Sequence, residues 1–277
     1  MTKMMGAICG DILGSTYEWC NIKYCPTLKE LLLRENFFTD DTVMTCAVAK
    51  ALYDSFNELD RPLELNEKEE KFICKHIEDE LINFGRKYPE SGYGETFYDW
   101  IMLETRKPYN SWGNGSAMRV AYAGWISETL KETLFLAKCT AEVTHNHPYG
   151  IKGAQIVAAC IYFLRQGANK TFIRDFVSKY YDMNFSLDEI RCSYEYDVSC
   201  QGSVPQAIMA FLEGNSFEEV ISLAISIGGD SDTIAAIAGS IAEVIYPIPE
   251  KILDIAYKSL DEYLINTITM VVELLNK

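Results

Sequence analysis

Apolar positions recur every three to four residues along nearly the whole chain, in stretches such as KFICKHIEDELINF and VAACIYFL. No stretch shows the strict apolar/polar alternation of a half-buried strand. The pattern predicts an all-α protein of roughly a dozen helices of ordinary length, about 11 residues each. Thr27-x-x-Glu30, Ser186-x-x-Glu189 and Ser216-x-x-Glu219 have the form of capping boxes that open helices, and Gly85, Gly167 and Gly214 follow apolar runs where helices stop.

The most polar segment, DRPLELNEKEEK at residues 60–71, is short and reads as a surface turn into the next helix rather than a linker. A second irregular segment, YYDMNFSLDEIRCSYEYDVSC, is rich in Tyr and acid and is expected to lie over the surface or rim a pocket. There is no internal repeat and no low-complexity tract. The expectation is therefore one domain spanning residues 1–277, a single compact multi-helix unit.

Composition sharpens this. A hydrophobic content of 48% with 12% aromatic residues supports a sizeable core. A net charge of −15 and a pI near 4.7 exclude a nucleic-acid surface or an anionic-membrane binder, both of which need basic patches. An anionic small ligand would need local positive potential from metal ions or helix N-termini. No window reaches the about 18 uncharged apolar residues of a membrane span. Nine cysteines without a CxxC pair read as reduced thiols, so a cytoplasmic protein is expected.

The chemistry concentrates in a few stretches. FTDD, Phe38–Asp41, begins a helix, where one Thr or Asp would suffice as the cap. The adjacent second carboxylate is surplus and repels the first, a repulsion that a divalent cation relieves. Roughly 190 residues later GGDSDT repeats the arrangement, with Asp230, Asp232 and Thr233 at another helix start behind Gly228 and Gly229. Two such starts are poorly explained by capping alone. Their hard oxygen donors suit Mg2+ or Mn2+, whereas zinc would want His or Cys.

Gly6, Gly10 and Gly14, spaced by four, form a bare seam for close helix packing. Asp11 and Glu18, seven apart, would share one face of that helix. NSWGNGSAMR is a glycine-rich turn before a helix expected near Ser116; it exposes N–H groups suited to an anion, with Trp112 placed to stack on a base. Arg119 is expected to form a structural salt bridge rather than hold a phosphate. In THNHPYG, His145 and His147 with Cys139 match no standard zinc spacing, and a substrate-contacting histidine is the better reading. His76 reads as a solvated helix-face residue.

These motifs carry a resemblance. GAICGDILGSTYE, FTDDTVMT, GYGETF, WGNGSAMR, THNHPYGIKGA, CQGSVPQAI and GGDSDTIAAIAGSIAE, in this order from residue 6 to about 250, resemble the ADP-ribosylglycohydrolase family. The resemblance implies an all-α domain with two Mg2+ or Mn2+ ions in a central cleft, cleaving the bond between ADP-ribose and an acceptor. It implies that Thr39, Asp40, Asp41, Asp230, Asp232 and Thr233 bind the metals and that Glu18 matches a glutamate on a segment that can close over the site. Gly92, Gly94, Ser111, Gly113, Asn114, Gly115 and Met118 would line the ADP-ribose groove, Trp112 would pack on adenine and His145 would contact the nucleotide.

Catalysis would then fall to Glu18, Asp40 and Asp41, on an ADP-ribosylated protein or small conjugate, in a protein expected to be monomeric. YPIP after the last acidic motif departs from the YGIP frequent in relatives. Two rivals are a metal-dependent hydrolase of another nucleotide or phosphate ester and a catalytically silent ADP-ribose-binding protein.

Overall fold

The computed structural model describes residues 3–276. Sixteen α-helices and one 3-10 turn make up its regular structure, and among the described residues the only β pairing is an isolated antiparallel bridge between Gly113 and Ser199. In chain order the helices are α1 (Met5–Gly14), α2 (Leu28–Leu33), α3 (Asp40–Glu58), α4 (Glu67–Lys87), α5 (Glu95–Met102), α6 (Gly115–Met118), α7 (Ala121–Ile126) and α8 (Leu130–Glu142). They continue as α9 (Pro148–Arg165), α10 (Lys170–Val177), α11 (Leu187–Ile190), α12 (Cys200–Glu213), α13 (Phe217–Ser226), α14 (Ser231–Ala242), α15 (Glu250–Ser259) and α16 (Glu262–Leu275). The excess over the dozen expected comes from short helices such as α6 and α11, of four residues each, too brief to show a period.

The longest helices buried on every side are α1, through all ten residues, and α14, through all twelve. They pack on each other through the glycine seam. A Cβ at Gly6 would lie 2.2 Å from the Gly239 carbonyl oxygen, one at Gly10 would lie 2.1 Å from that of Ala235, and one at Gly14 would lie 2.5 Å from Asp232 Cα. Only bare backbone fits there, so the seam fixes the start of α14 beside the end of α1. The outer helices are amphipathic: α4 buries Ile73, Ile77, Leu81 and Phe84 and leaves its charged face to solvent.

The capping boxes at Thr27 and Ser186 form in full, and an unexpected one forms at Asn66 with Glu69. At Ser216 only half forms, because Glu219 accepts instead from the Asn215 N–H. Gly167 and Gly214 sit just past α9 and at the end of α12 as expected. Gly85 does not end a helix. It lies inside α4, where it gives room to Ile101 of α5, and the helix runs two residues further. His76 is half-buried rather than solvated, packed on Phe72 with Nε2 3.5 Å from Glu58. No helix among the described residues is long and apolar enough to cross a membrane.

Candidate active site

Thr39 is the N-cap of α3, with its hydroxyl accepting the Asp41 N–H at 3.3 Å, so neither aspartate is needed as the cap. The same hydroxyl donates to Asp11 Oδ1 at 2.7 Å. Asp11, fully buried on α1, also accepts the Thr39 N–H at 3.0 Å, the Thr42 N–H at 3.1 Å and the Thr42 hydroxyl, which locks the start of α3 onto α1. Thr233, in the first turn of α14, donates its hydroxyl to Asp41 Oδ2 at 3.0 Å. The other oxygen, Asp41 Oδ1, is buried and has no hydrogen-bond partner.

At the second acidic helix start the N-cap position belongs to Asp230, yet its side chain caps nothing. It accepts from the Asn114 side-chain amide at 2.5 Å, and that amide also reaches Ser203 Oγ at 2.9 Å. Gly228 and Gly229, both at φ +69°, make the turn that delivers Asp230, a backbone conformation that strains any residue with a Cβ.

Carboxylate oxygens of Asp11, Asp41 and Asp232 lie within 4.8 Å of one another, and so do those of Glu18, Asp230 and Asp232, which makes Asp232 common to both groups. Burial, then the neighbouring carboxylates, pushes Asp40, Asp41 and Asp232 well above the usual carboxylate range. Burial raises Asp11 and Asp230 as well, offset by the hydroxyl, backbone and amide donors around them. An orphaned buried oxygen amid mutually repelling carboxylates fits hard divalent cations, with Asp11, Asp41, Asp230, Asp232 and Glu18 as the available donors.

Glu18, Asp41, Asp230 and Asp232 of this cluster line a cleft of about 910 Å3. The same cleft is lined by the loop Ser111–Gly115, which touches the cluster through Asn114 and is pinned to the Tyr-rich segment by the Asn114 N–H to Val198 (2.7 Å) and the Cys200 N–H to Trp112 (3.0 Å). Trp112 is 52% exposed, with its ring 5.4 Å from that of His147. His145 lies behind the loop, its Nε2 3.1 Å from where a Cβ on Gly115 would be. Its Nδ1 is 2.7 Å from the Thr144 hydroxyl, which accepts from Arg119 at 2.8 Å. Burial and the Arg119 charge hold His145 well below the ordinary histidine value, so the ring is neutral, with Nε2 turned toward the loop.

Residues 3–268 match the ADP-ribosylglycohydrolase family. The chain belongs to that family. Its members are glycosidic-bond hydrolases. The chain is 26% identical over 312 aligned residues to the ADP-ribosylhydrolase ARH3 of Gallus gallus, covering 88% of this chain and 84% of that one. It is 25% identical over 320 residues to the Homo sapiens ARH3, with 88% and 84% covered. The ADP-ribosylarginine hydrolase Tri1 of Pseudomonas putida (strain GB-1) is 28% identical over 149 residues, 49% of this chain and 39% of the relative. In fold the chain is similar to a solved ADP-ribosylglycohydrolase-related protein complex, with a TM-score of 0.69, 22% identity and 99% and 95% of the two chains covered.

Every residue that the family resemblance singles out lines this one cleft: Glu18, Thr39, Asp40, Asp41, Gly92, Gly94, Ser111 to Gly115, Met118, His145, Asp230, Asp232 and Thr233. Several differ in detail from expectation. Asp40 is half-buried and belongs to neither oxygen group; it faces Gly92, a φ +96° residue whose missing Cβ would lie 3.7 Å from Asp40 Oδ1. Asn114 spends its amide on Asp230 and Ser203. The helix expected near Ser116 is the single turn α6, ended by Arg119 at φ −94°, ψ 0°.

Arg119 pairs with no acid among the described residues. It is fully buried and donates to Thr140 O and Thr144 Oγ1, both at 2.8 Å, while burial lowers its pKa to about 10. Glu18 does not share a helix face with Asp11, since α1 ends at Gly14 and a 3-10 turn, Ser15–Tyr17, carries the chain to Glu18. Tyr196 donates to Glu18 Oε1 at 3.0 Å and stacks on Trp19 at 5.4 Å, so the Tyr-rich segment does rim the pocket. Asp11 was within reach of sequence reading through its place in the GDILGSTYE stretch. Tyr196 had no signal beyond its composition.

Proposed function

We propose that the chain hydrolyses the N- or O-glycosidic bond joining ADP-ribose to a modified acceptor, a mono-ADP-ribosylated side chain or small conjugate, and releases ADP-ribose, with two Mg2+ or Mn2+ ions as cofactors. The observation that carries this reading is the orphaned Asp41 Oδ1 in one of two carboxylate groups that share Asp232, in a cleft also lined by a glycine loop with Trp112 and by His145.

Breaking the ribosyl C1 bond passes through an oxocarbenium-like state, which needs a positioned water and, for a poor leaving group, a proton. When bound, the two ions supply Lewis acidity beside the ribose and offset the carboxylate repulsion. Asp41, Asp230 and Asp232 would hold them, with Asp11 adding a carboxylate and Thr39 and Thr233 fixing the orientation of that set. Asp40, half-exposed to the cleft, orients the water together with Asp41. Glu18, raised above its usual range by burial and held by Tyr196, handles the leaving-group proton or closes over the site. Trp112 offers its exposed face to the adenine. His145 presents Nε2 to a polar group of the nucleotide, and Arg119 holds the ring in place through Thr144.

Calorimetry of ADP-ribose in Mg2+ tests the reading. Trp112→Ala is expected to weaken binding by about 1–3 kcal/mol, the worth of one stacked base. Binding of wild type and variant with equal affinity would contradict it.

A further inference from the structure

Where α4 meets α8, outside the cleft's lining, lies a second group of metal-type donors. Cys139 and Glu142 are three apart on α8 and so face the same way. Cys74, on α4, packs against them: its Sγ is 3.3 Å from Glu142 Oε1, and one ligand atom from each of the three residues lies within 4.8 Å of the other two. Cys139 is fully buried, and neither cysteine is in a disulfide.

We propose that Cys74, Cys139 and Glu142 form a site for a thiophilic divalent cation such as Zn2+. Two thiolates and one carboxylate suit a tetrahedral ion that keeps one position for an outside ligand. In tetrahedral zinc sites sulfur and oxygen ligands stand roughly 3.5 Å apart, given bonds of about 2.3 and 2.0 Å. The 3.3 Å between Cys74 Sγ and Glu142 Oε1 is close to that separation.

The carboxylate is already oriented. Lys138 Nζ, 3.4 Å from Glu142 Oε2 and 2.6 Å from Glu70 Oε1, holds the outer oxygen and leaves Oε1 to the thiols, as an outer-shell partner does for a ligating carboxylate. The fourth position has somewhere to open: Cys74 and Glu142 line a separate cavity of about 430 Å3 between α4, α5 and the end of α8. On binding, each thiol gives its proton to solvent, so the ion replaces the hydrogen bond that Cys74 now makes to Glu142. The ion would join α4 to the end of α8, three residues before His145.

The test is a Co2+ titration of the reduced full-length protein in excess Mg2+, read by thiolate-to-cobalt charge-transfer absorption, which carboxylate sites do not produce. The proposal expects one such ion per chain, displaced by Zn2+, with a higher unfolding temperature when either ion is bound. Asp232→Asn should keep the band. Cys74→Ser should abolish it, and Glu142→Gln should keep a band but weaken Co2+ affinity by on the order of tenfold or more. Circular dichroism establishes that the variants are folded; Cys139, fully buried, is left intact for that reason. Absence of the band in folded reduced protein, or an unchanged band in Cys74→Ser arising from exposed Cys20, Cys25 or Cys192, overturns the proposal.

Discussion

The Thr233 hydroxyl donates to Asp41 Oδ2 at 3.0 Å across 192 residues of sequence. This bond joins the first turns of α3 and α14, the two helix starts with paired aspartates, and leaves Asp41 Oδ1 bare. Repulsion among these buried carboxylates costs stability that a cation restores. In EDTA, Asp41→Asn and Asp232→Asn should therefore unfold at a higher temperature than wild type. Added Mg2+ should raise the wild-type midpoint and barely move either variant, while turnover of both falls by on the order of 10²-fold or more, the scale of a misplaced reacting group. Thermal-shift curves with and without Mg2+ read the first two effects, and an equal Mg2+ response in all three proteins would oppose a metal role for these residues.

The glycine seam is expected to tolerate no methyl group. Gly10→Ala places a Cβ 2.1 Å from the Ala235 carbonyl oxygen, with rigid backbone on both sides, and should cost roughly 1–3 kcal/mol or more. Gly94→Ala is the control, since nothing lies within 4 Å of its Cβ position and its φ of −57° suits any residue; its stability should stay within about 0.5 kcal/mol of wild type. Urea unfolding of the pair measures both.

Glu243 gives a pH dependence. It is buried at the start of α1, accepting from the Met4 N–H (2.9 Å), the Gly6 N–H (2.9 Å) and Trp125 Nε1 (3.1 Å), and burial outweighs those donors to raise its pKa from 4.5 to about 8. The folded state thus holds the proton more tightly than the unfolded chain. The contribution is complete below about pH 4.5, declines as pH rises toward 8 and is lost above it. Relative to Glu243→Gln, which does not titrate, wild type should lose about 1.4 kcal/mol per pH unit across that window. Chemical denaturation of both proteins at three pH values, in fixed Mg2+, gives the slope, and a constant or widening advantage for wild type would refute the assignment.

Tyr196→Phe removes only the hydroxyl that holds Glu18 and keeps the ring stacked on Trp19. Losing one such bond is worth about 0.5–1.5 kcal/mol, so turnover should fall roughly 2- to 10-fold while ADP-ribose affinity is unchanged. Steady-state kinetics and calorimetry separate the two, and an affinity loss with normal turnover would place Tyr196 in nucleotide binding instead.

Much of this arrangement was legible in the sequence because helices bury stripes with a fixed period and because surplus carboxylates stand out at helix starts. The all-α class, the seam at Gly6, Gly10 and Gly14, a capped helix start at FTDD and the Tyr-rich segment at the pocket rim all follow from local chemistry. What failed depended on tertiary neighbours. Gly85 looked like a stop because its partner Ile101 lies on another helix, Arg119 looked like an ion-pair residue because its carbonyl and hydroxyl acceptors come from α8 and the residues after it, and Asp11 and Glu18 were joined on one face because nothing in STY announces a 3-10 turn.

The most direct measurement is release of free ADP-ribose from two peptides, one ADP-ribosylated on arginine and one on serine, each incubated with the protein in Mg2+ and in EDTA. Metal-dependent release from at least one peptide, absent in Asp41→Asn, is the predicted result and names the acceptor. Release that is undiminished in EDTA and retained by Asp41→Asn would contradict the proposed metal-dependent hydrolysis.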